Sequence, residues 1–309
     1  MNAPTFPTNP AIGQWWQNWV WNGVRWVCSG SNGIRVIITT FPLGASPYQP
    51  SPGLVTAVVE CLGGGGGAGG VSLIGSDLGW ILSGSGGGSG TYARIALDAA
   101  LVLGGVIVTV GDGGVGGNPT GGIPGFGAQG GATTFGALCG APGGGGGGDS
   151  TFDGTNATFG APGIGGGGTG GEVGGKVVYH GEDGLPGPAI HYLTAAPDHN
   201  RSAGGNGGTM FGGATSVVAG HNTVVAGSPA HDKTGAGGTG AASNLAVGSQ
   251  PGGKGGSGTC VVTEYCFADM ADDGCDGTMN VNARVAVDRE WQGRPGRGEG
   301  FEGQEFADD

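Results

Sequence analysis

The five histidines of the chain, His180, His191, His199, His221 and His231, all fall between residues 180 and 231, interleaved with Asp183, Asp198 and Asp232. Imidazole beside carboxylate is the raw material of metal binding and of acid–base catalysis. Yet no two of these histidines stand at i, i+2, i+3 or i+4, so no local ligand pair forms, and solvent-facing loop residues of a binding region are the better reading. The stretch DGLPGPAIHYLTAAPDHNRSAGG adds Tyr192, prolines and mixed polar groups to a surrounding of plain glycine, which is how a contact surface carried on loops should look. The candidate contact residues of this binding region are therefore His180, Asp183, His191, Tyr192, His199, His221 and His231. Carboxylates are sparse between residues 100 and 260, so a paired-carboxylate site for glycan hydrolysis is disfavoured.

Other chemical motifs fail on inspection. G-x-G-x-x-G recurs, but glycine at a quarter of all positions produces it by chance. Lys176 is followed by Val177 and Lys254 by Gly255, so there is no phosphate loop, and no G-x-S-x-G nucleophile elbow exists. ADDGCDGTMNVN matches a calcium loop at Asp272, Asp276 and Gly277, but Gly274 and Ala283 stand where ligands belong, and a turn of solvated carboxylates is the better reading. The six cysteines include no CxxC pair; free buried thiols are favoured over disulfides formed after release from a cell. The expectation is a protein that is not an enzyme and uses no metal or cofactor.

A net charge of −12 with three lysines removes the footprint of a nucleic-acid binder and disfavours anionic membranes. No run reaches the 18 or so apolar residues of a membrane span, and MNAPTFPTNP lacks the features of a signal peptide. Synthesis in the cytoplasm without signal-peptide export is expected.

The elements that must position these residues are unusual. Glycine supplies 80 of 309 residues, against a usual share of roughly 7%. Long helices are close to excluded, since each interior glycine costs about 1 kcal/mol against alanine. The runs at 63–67, 143–148 and 165–168 have no strict G-X-Y period, so collagen is excluded. The pattern from about 34 to 266 is strand, glycine run, strand, glycine run. Flexible linker is one reading of the runs. The ordered alternative has them as extended polyproline-II-like helices packed side by side, with backbone N–H and C=O groups paired between neighbours.

The amino-terminal GQWWQNWVWNGVRWVCSGSNGIRVIITTF carries two Asn-Gly turn signals. A two-residue turn at Asn22-Gly23 opposes Trp21 to Val24 and Trp19 to Trp26, and puts Trp15, Trp19, Trp21 and Trp26 on one face. A turn at Asn32-Gly33 adds a third strand at about 34–39. The tryptophan slab suits an interface or core, with stacking on sugar rings as the second reading. Residues 267–309 are acidic and end in a flexible-looking tail. The expected fold is all-β, with an arm and Trp-rich meander (1–40), a glycine-rich β domain with polyproline-II-like glycine segments (41–266) and an acidic extension (267–309).

WWQNWVWNGVRWVC resembles short W-x-W-N-G-x-x-W-V segments near the amino termini of bacteriophage tail-fibre proteins. The ordered series VTAVVECLGGGGGAGG, GSGTYARIAL, VIVTVGDGGVGG, GATTFGALCGAPGGGGGG and GGSGTCVVTEY resembles the glycine-rich domain of phage tail fibres and tail-tip adhesins. The resemblance implies a virion appendage, made in the host cytoplasm and exposed on the particle. Adhesion to a host surface polysaccharide or outer-membrane protein would be noncovalent, with other virion proteins as partners at the tryptophan interface. The tail-tip adhesins of T-even-like phages pack polyglycine-II helices with specificity loops at the distal end. A homotrimer fits a fibre that covers its strand edges around a threefold axis. The alternatives are a capsid or neck decoration protein without a receptor role, and a carbohydrate-binding module.

Overall fold

The computed structural model describes residues 34–74, 80–120, 125–153, 157–164, 177–187, 202–209, 217–220, 222–244, 246 and 248–267, together with residue 11 and the short strands at 15–16, 19–21, 26–28 and 190–191. Met1–Asp272 forms one compact unit and Asp273–Asp309 a second. The acidic extension beyond Phe267, including the calcium-loop-like segment, lies outside the described residues. The described chain is all-β apart from one short turn of 3-10 helix at Ala99–Leu101.

The base of the molecule follows from simple alternation. In Thr259–Phe267, TCVVTEYCF, every second residue is buried (Cys260, Val262, Glu264, Cys266), as a strand with one covered face requires. This strand pairs antiparallel with Ile34–Thr40 on one side and Leu54–Leu62 on the other. Tyr92–Asp98 and Val177–Tyr179 complete a five-stranded sheet. A second sheet, Cys139–Ala141, Thr133–Phe135, Val106–Val110 and Gly44–Tyr48 in spatial order, faces it. Their inward residues form one core around Phe41, Tyr48, Val59, Ile95, Val108, Phe135 and Val262.

Glu264 is buried in that core and is held there by Tyr48, whose hydroxyl donates at 2.7 Å, and by Ser51, whose hydroxyl and backbone N–H donate at 2.6 and 2.9 Å. Burial, and then the bond to Glu264, push the Tyr48 phenol above its ordinary pKa. Cys61, Cys139, Cys260 and Cys266 are buried thiols, not joined in disulfides, the Cys61 and Cys260 sulfurs lying 3.8 Å apart on paired strands.

Above the base the described glycine segments build a lattice with no side-chain core, the run at 165–168 lying outside the described residues. Every N–H from Gly63 to Gly70 donates to the carbonyl of another segment at 2.8–3.1 Å. The partners repeat every three residues. Gly63, Gly66 and Gly69 donate to Thr91, Gly88 and Ser85; Gly64, Gly67 and Gly70 donate to Gly131, Ala128 and Gly125; Gly65 and Ala68 donate to Gly256 and Gly253. The carbonyls accept with the same period, from segment 144–150 (Gly64, Gly67, Gly70), segment 114–117 (Gly65, Ala68) and segment 238–241 (Gly66, Gly69). A three-residue period is the repeat of an extended helix with three residues per turn. One segment thus sits inside six neighbours, all bonded through the backbone.

Residues 84–91 form a second centre, donating to 235–241, 142–148 and 182–185 and accepting from 63–69, from Gly163 and from 205–208. Such contacts need a missing Cβ. A methyl built on Gly65 would lie 1.9 Å from the Ala236 carbonyl oxygen, and one on Gly66 1.9 Å from that of Gly145.

Ordering a chain costs roughly 1–2 kcal/mol per residue, and glycine buries little apolar surface to offset it. The lattice is accordingly clamped at both ends. At the far end lies a sheet of Ala157–Phe159, Ser150–Phe152, Val71–Leu73 and Gly248–Gln250, and another of Ile190–His191, Trp80–Ser83, Ala242–Asn244 and Thr223–Val225. Val71, Leu73, Leu82, Phe152 and Ala241 form the apolar cluster there.

The amino-terminal strands differ from expectation. Trp21 pairs with Trp26 and Trp19 with Cys28, so four residues, 22–25, separate the two strands in place of a two-residue Asn-Gly turn. The third partner is Trp15–Trp16, paired through Trp16 and Trp19. Ile34–Thr40, expected as the third strand of this meander, instead joins the base, where Thr259–Phe267 offers it a seven-residue antiparallel partner and half-buries Ile37 against the core.

Candidate functional site

The lattice separates two surfaces of opposite character. Gly63–Gly70 runs from the end of the base strand Leu54–Leu62 to the start of the far-end strand Val71–Leu73.

The first surface is the outer face of the five-stranded base sheet. Alternation that sends Cys260, Val262 and Glu264 inward sends the intervening residues outward. Through the register, Ile34, Val36 and Ile38 share that outer face with Val58, Tyr265 and Phe267. Ile34, Val36 and Ile38 are 68, 50 and 68% exposed. On the opposite edge Val177 and Tyr179 are also exposed, with the Tyr179 ring 6.0 Å from that of Tyr92. On this face the Tyr92 hydroxyl donates to Glu60, Arg94 approaches the same carboxylate at 3.9 Å, and Asp98 is exposed at the end of its strand. Burial, and then the bond to Glu60, raise the Tyr92 phenol's pKa. Ile34–Thr40 is moreover an edge strand, and a long apolar edge is left open only where something pairs with or covers it.

The second surface is the far end, built from short strands. Residues 192–201, outside the described residues, join Ile190–His191 to Ser202–Ala203, both of which belong to far-end sheets. Asn222 holds a positive φ of 55° in the turn before Thr223–Val225, fastened by the Thr223 hydroxyl donating to the Gly220 carbonyl at 2.7 Å.

The chain crosses the lattice repeatedly between residues 180 and 231, and the histidines that are close in sequence are distributed to both ends. His180 and Asp183 are exposed beside the base, next to Glu182, whose N–H donates to the Ser89 hydroxyl at 2.7 Å. His191 pairs with Trp80 at the far end. His231 is back at the base and exposed, its carbonyl accepting from the Thr234 hydroxyl at 2.6 Å. Tyr192, His199 and His221 lie outside the described residues. The histidines named here therefore do not form one cluster, and among the described residues no group of three His, Cys, Asp or Glu side chains is placed to hold a metal ion. Trp19, Trp21 and Trp26 lie in the paired strands already described, and Trp15 pairs with Val20.

IRVIITT follows an Asn-Gly turn signal and so reads locally as a meander strand, whereas its partner in the structure is the distant Thr259–Phe267. The signal of the outer face was present in the apolar residues at 34, 36 and 38. Among the described residues no helix is long and apolar enough to cross a membrane. Residues 39–265 match the family model described as a glycine-rich domain. No curated protein matches the chain.

Proposed function

The chain belongs to the glycine-rich domain family, and from that premise we propose that it is a structural appendage of a bacteriophage particle, a tail-fibre or tail-tip adhesin that binds the host surface noncovalently. The observation that supports this reading is the two-ended build. A sheet face with exposed Ile34, Val36 and Ile38 suits burial against other subunits, and a backbone-bonded lattice stands between it and the strands of the far end. The glycine segments act as polyglycine-II helices, and the Trp-rich strands dock on the virion. The base face closes against copies of the same chain, a homotrimer being the favoured assembly. Individually weak loop contacts with polysaccharide or an outer-membrane protein gain strength through repetition on one particle.

The test is immunogold labelling of purified particles with antibody to the recombinant chain, together with competition of phage adsorption by that protein. Label at the tail and blocked adsorption are expected. Label on the head or neck without competition supports a decoration protein, and a monomeric mass in solution with no label on particles overturns the reading.

A further inference from the structure

Where the base meets the lattice, a groove of about 460 Å³ opens between the Thr40–Leu43 turn, the end of the Val106–Val110 strand and the loop at residues 231–234. Its lining includes Phe41, Val110, Asp112, Asp232, Lys233 and Lys254. Two of the three lysines in the whole chain thus converge on one groove. We propose that this groove binds a saccharide bearing a carboxylate, with Lys233 as the group that receives the carboxylate.

Three observations carry the assignment. Lys254 is already engaged, its ammonium donating to both Asp112 oxygens at 2.9 and 3.0 Å, and this pair fixes one wall. Lys233 forms no ion pair among the described residues. It also holds a φ of +62°, in the left-handed region that disfavours every side chain with a Cβ. Nearby Gly235 has φ +59°, and a chain with 80 glycines nonetheless places a lysine at 233.

The loop that carries Lys233 is firmly tied. Its N–H donates to the Ser257 hydroxyl at 3.0 Å, the Thr234 hydroxyl donates to the His231 carbonyl at 2.6 Å, and the Ala236 N–H donates to the Thr234 hydroxyl at 3.3 Å. Strain kept where a glycine would relieve it, on a fixed loop at the mouth of a groove, points to use of the side chain.

The lining selects among anions. An acidic peptide would meet the carboxylates of Asp112 and Asp232 and be repelled. A sugar instead donates hydroxyls to those carboxylates, offers its C–H face to Phe41 and Val110, and presents one acid to Lys233. The groove's volume lies in the range of small-ligand sites. This site is separate from the far-end loop contacts of the adhesive reading, on which it rests only for its biological setting.

The experiment is isothermal titration of the full chain with a tetrasaccharide of alternating glucuronate and N-acetylglucosamine, with maltotetraose and hexaglutamate as comparators. Saturable binding of the uronate sugar is expected, weakened at least about tenfold by Lys233→Gln and by Lys233→Gly. The glycine variant is expected to keep its Tm or to gain up to about 4 °C from relief of backbone strain. Absence of saturable uronate binding overturns the proposal, as does unchanged binding by both variants or tighter binding of hexaglutamate. Host adsorption that competes normally in Lys233→Gln while uronate binding was never present sinks the groove and leaves the adhesin standing. Uronate binding without particle labelling does the reverse.

Discussion

Replacing Gly66 by alanine tests the lattice at its centre. The new methyl would lie 1.9 Å from the Gly145 carbonyl oxygen and 2.5 Å from its carbon. Relaxing that contact to an ordinary 3.4 Å requires backbone to retreat by about 1.5 Å, because nothing at the contact is a flexible side chain. Four hydrogen bonds run through the two residues: Gly66 to Gly88 at 2.8 Å, Gly238 to Gly66 at 3.0 Å, Gly88 to Gly145 at 2.9 Å and Gly145 to Ile164 at 2.7 Å. A shift of that size takes two or three of them beyond bonding distance. Each buried group left unpaired costs about 1–3 kcal/mol, so the expected loss is about 3–6 kcal/mol, against a total stability of about 5–15 kcal/mol for a typical domain.

The control is Gly104→Ala, where the added methyl meets nothing within 4 Å and the expected change stays within about 0.5 kcal/mol. Ala68, fully buried in the same segment, shows that the lattice houses a methyl where room was made, so the prediction concerns collision rather than composition. Guanidinium unfolding and scanning calorimetry would read it, with Tm falling by about 10–20 °C for Gly66→Ala. If the two variants unfold within about 0.5 kcal/mol of each other, the glycine segments are not the close-packed, backbone-bonded units described.

Two further perturbations probe the ends. Asp149 is buried beside the far-end sheet with its carboxylate accepting from the Gly125 N–H at 3.1 Å, and burial raises its pKa above the ordinary 3.8. A raised carboxylate disfavours the folded state when ionised and ceases to do so when protonated. Asp149→Asn is therefore expected to raise Tm at neutral pH, with the gain vanishing as pH falls below 3.8; a destabilised variant at pH 7 counts against the argument. In the base, the Cys61 thiol is pushed far above its ordinary pKa by the neighbouring thiols of Cys139 and Cys260 and by burial. Cys61, Cys139, Cys260 and Cys266 should resist an aromatic disulfide reagent in the native protein and react together on unfolding; mass mapping of native-state adducts onto any of them would contradict the core as described.

The base was legible because side chains write it. TCVVTEYCF and LVTAVVECL carry alternation that only a half-covered strand satisfies, and the reading of an all-β chain with ordered, mutually paired glycine runs followed from those bursts and the runs between them. The pairing of the runs was not legible. Gly66 bonds to Gly88 and Gly238, yet nothing distinguishes Gly66 from Gly64 or Gly67 locally, since a residue without a side chain carries no code for its partner. Partners are set by where the strands at each end deliver the chain, which is long-range information.

The same physics separates His180 from His191. In an ordinary globular chain, residues a few dozen positions apart share a neighbourhood often enough for clustering to mean something. Here each crossing of the lattice carries the chain from one end to the other, so His180 and His191, eleven positions apart in number, sit beside the base and at the far end respectively. Proximity in a glycine lattice is governed by position along the common axis. Residues 112, 233 and 254, far apart in sequence, meet because each lies at the junction with the base. Chemistry in such a protein is therefore confined to the places where side chains return. A scan of the exposed charged groups at the two ends should find every binding effect, while lattice substitutions change stability and leave affinity alone until the fold fails.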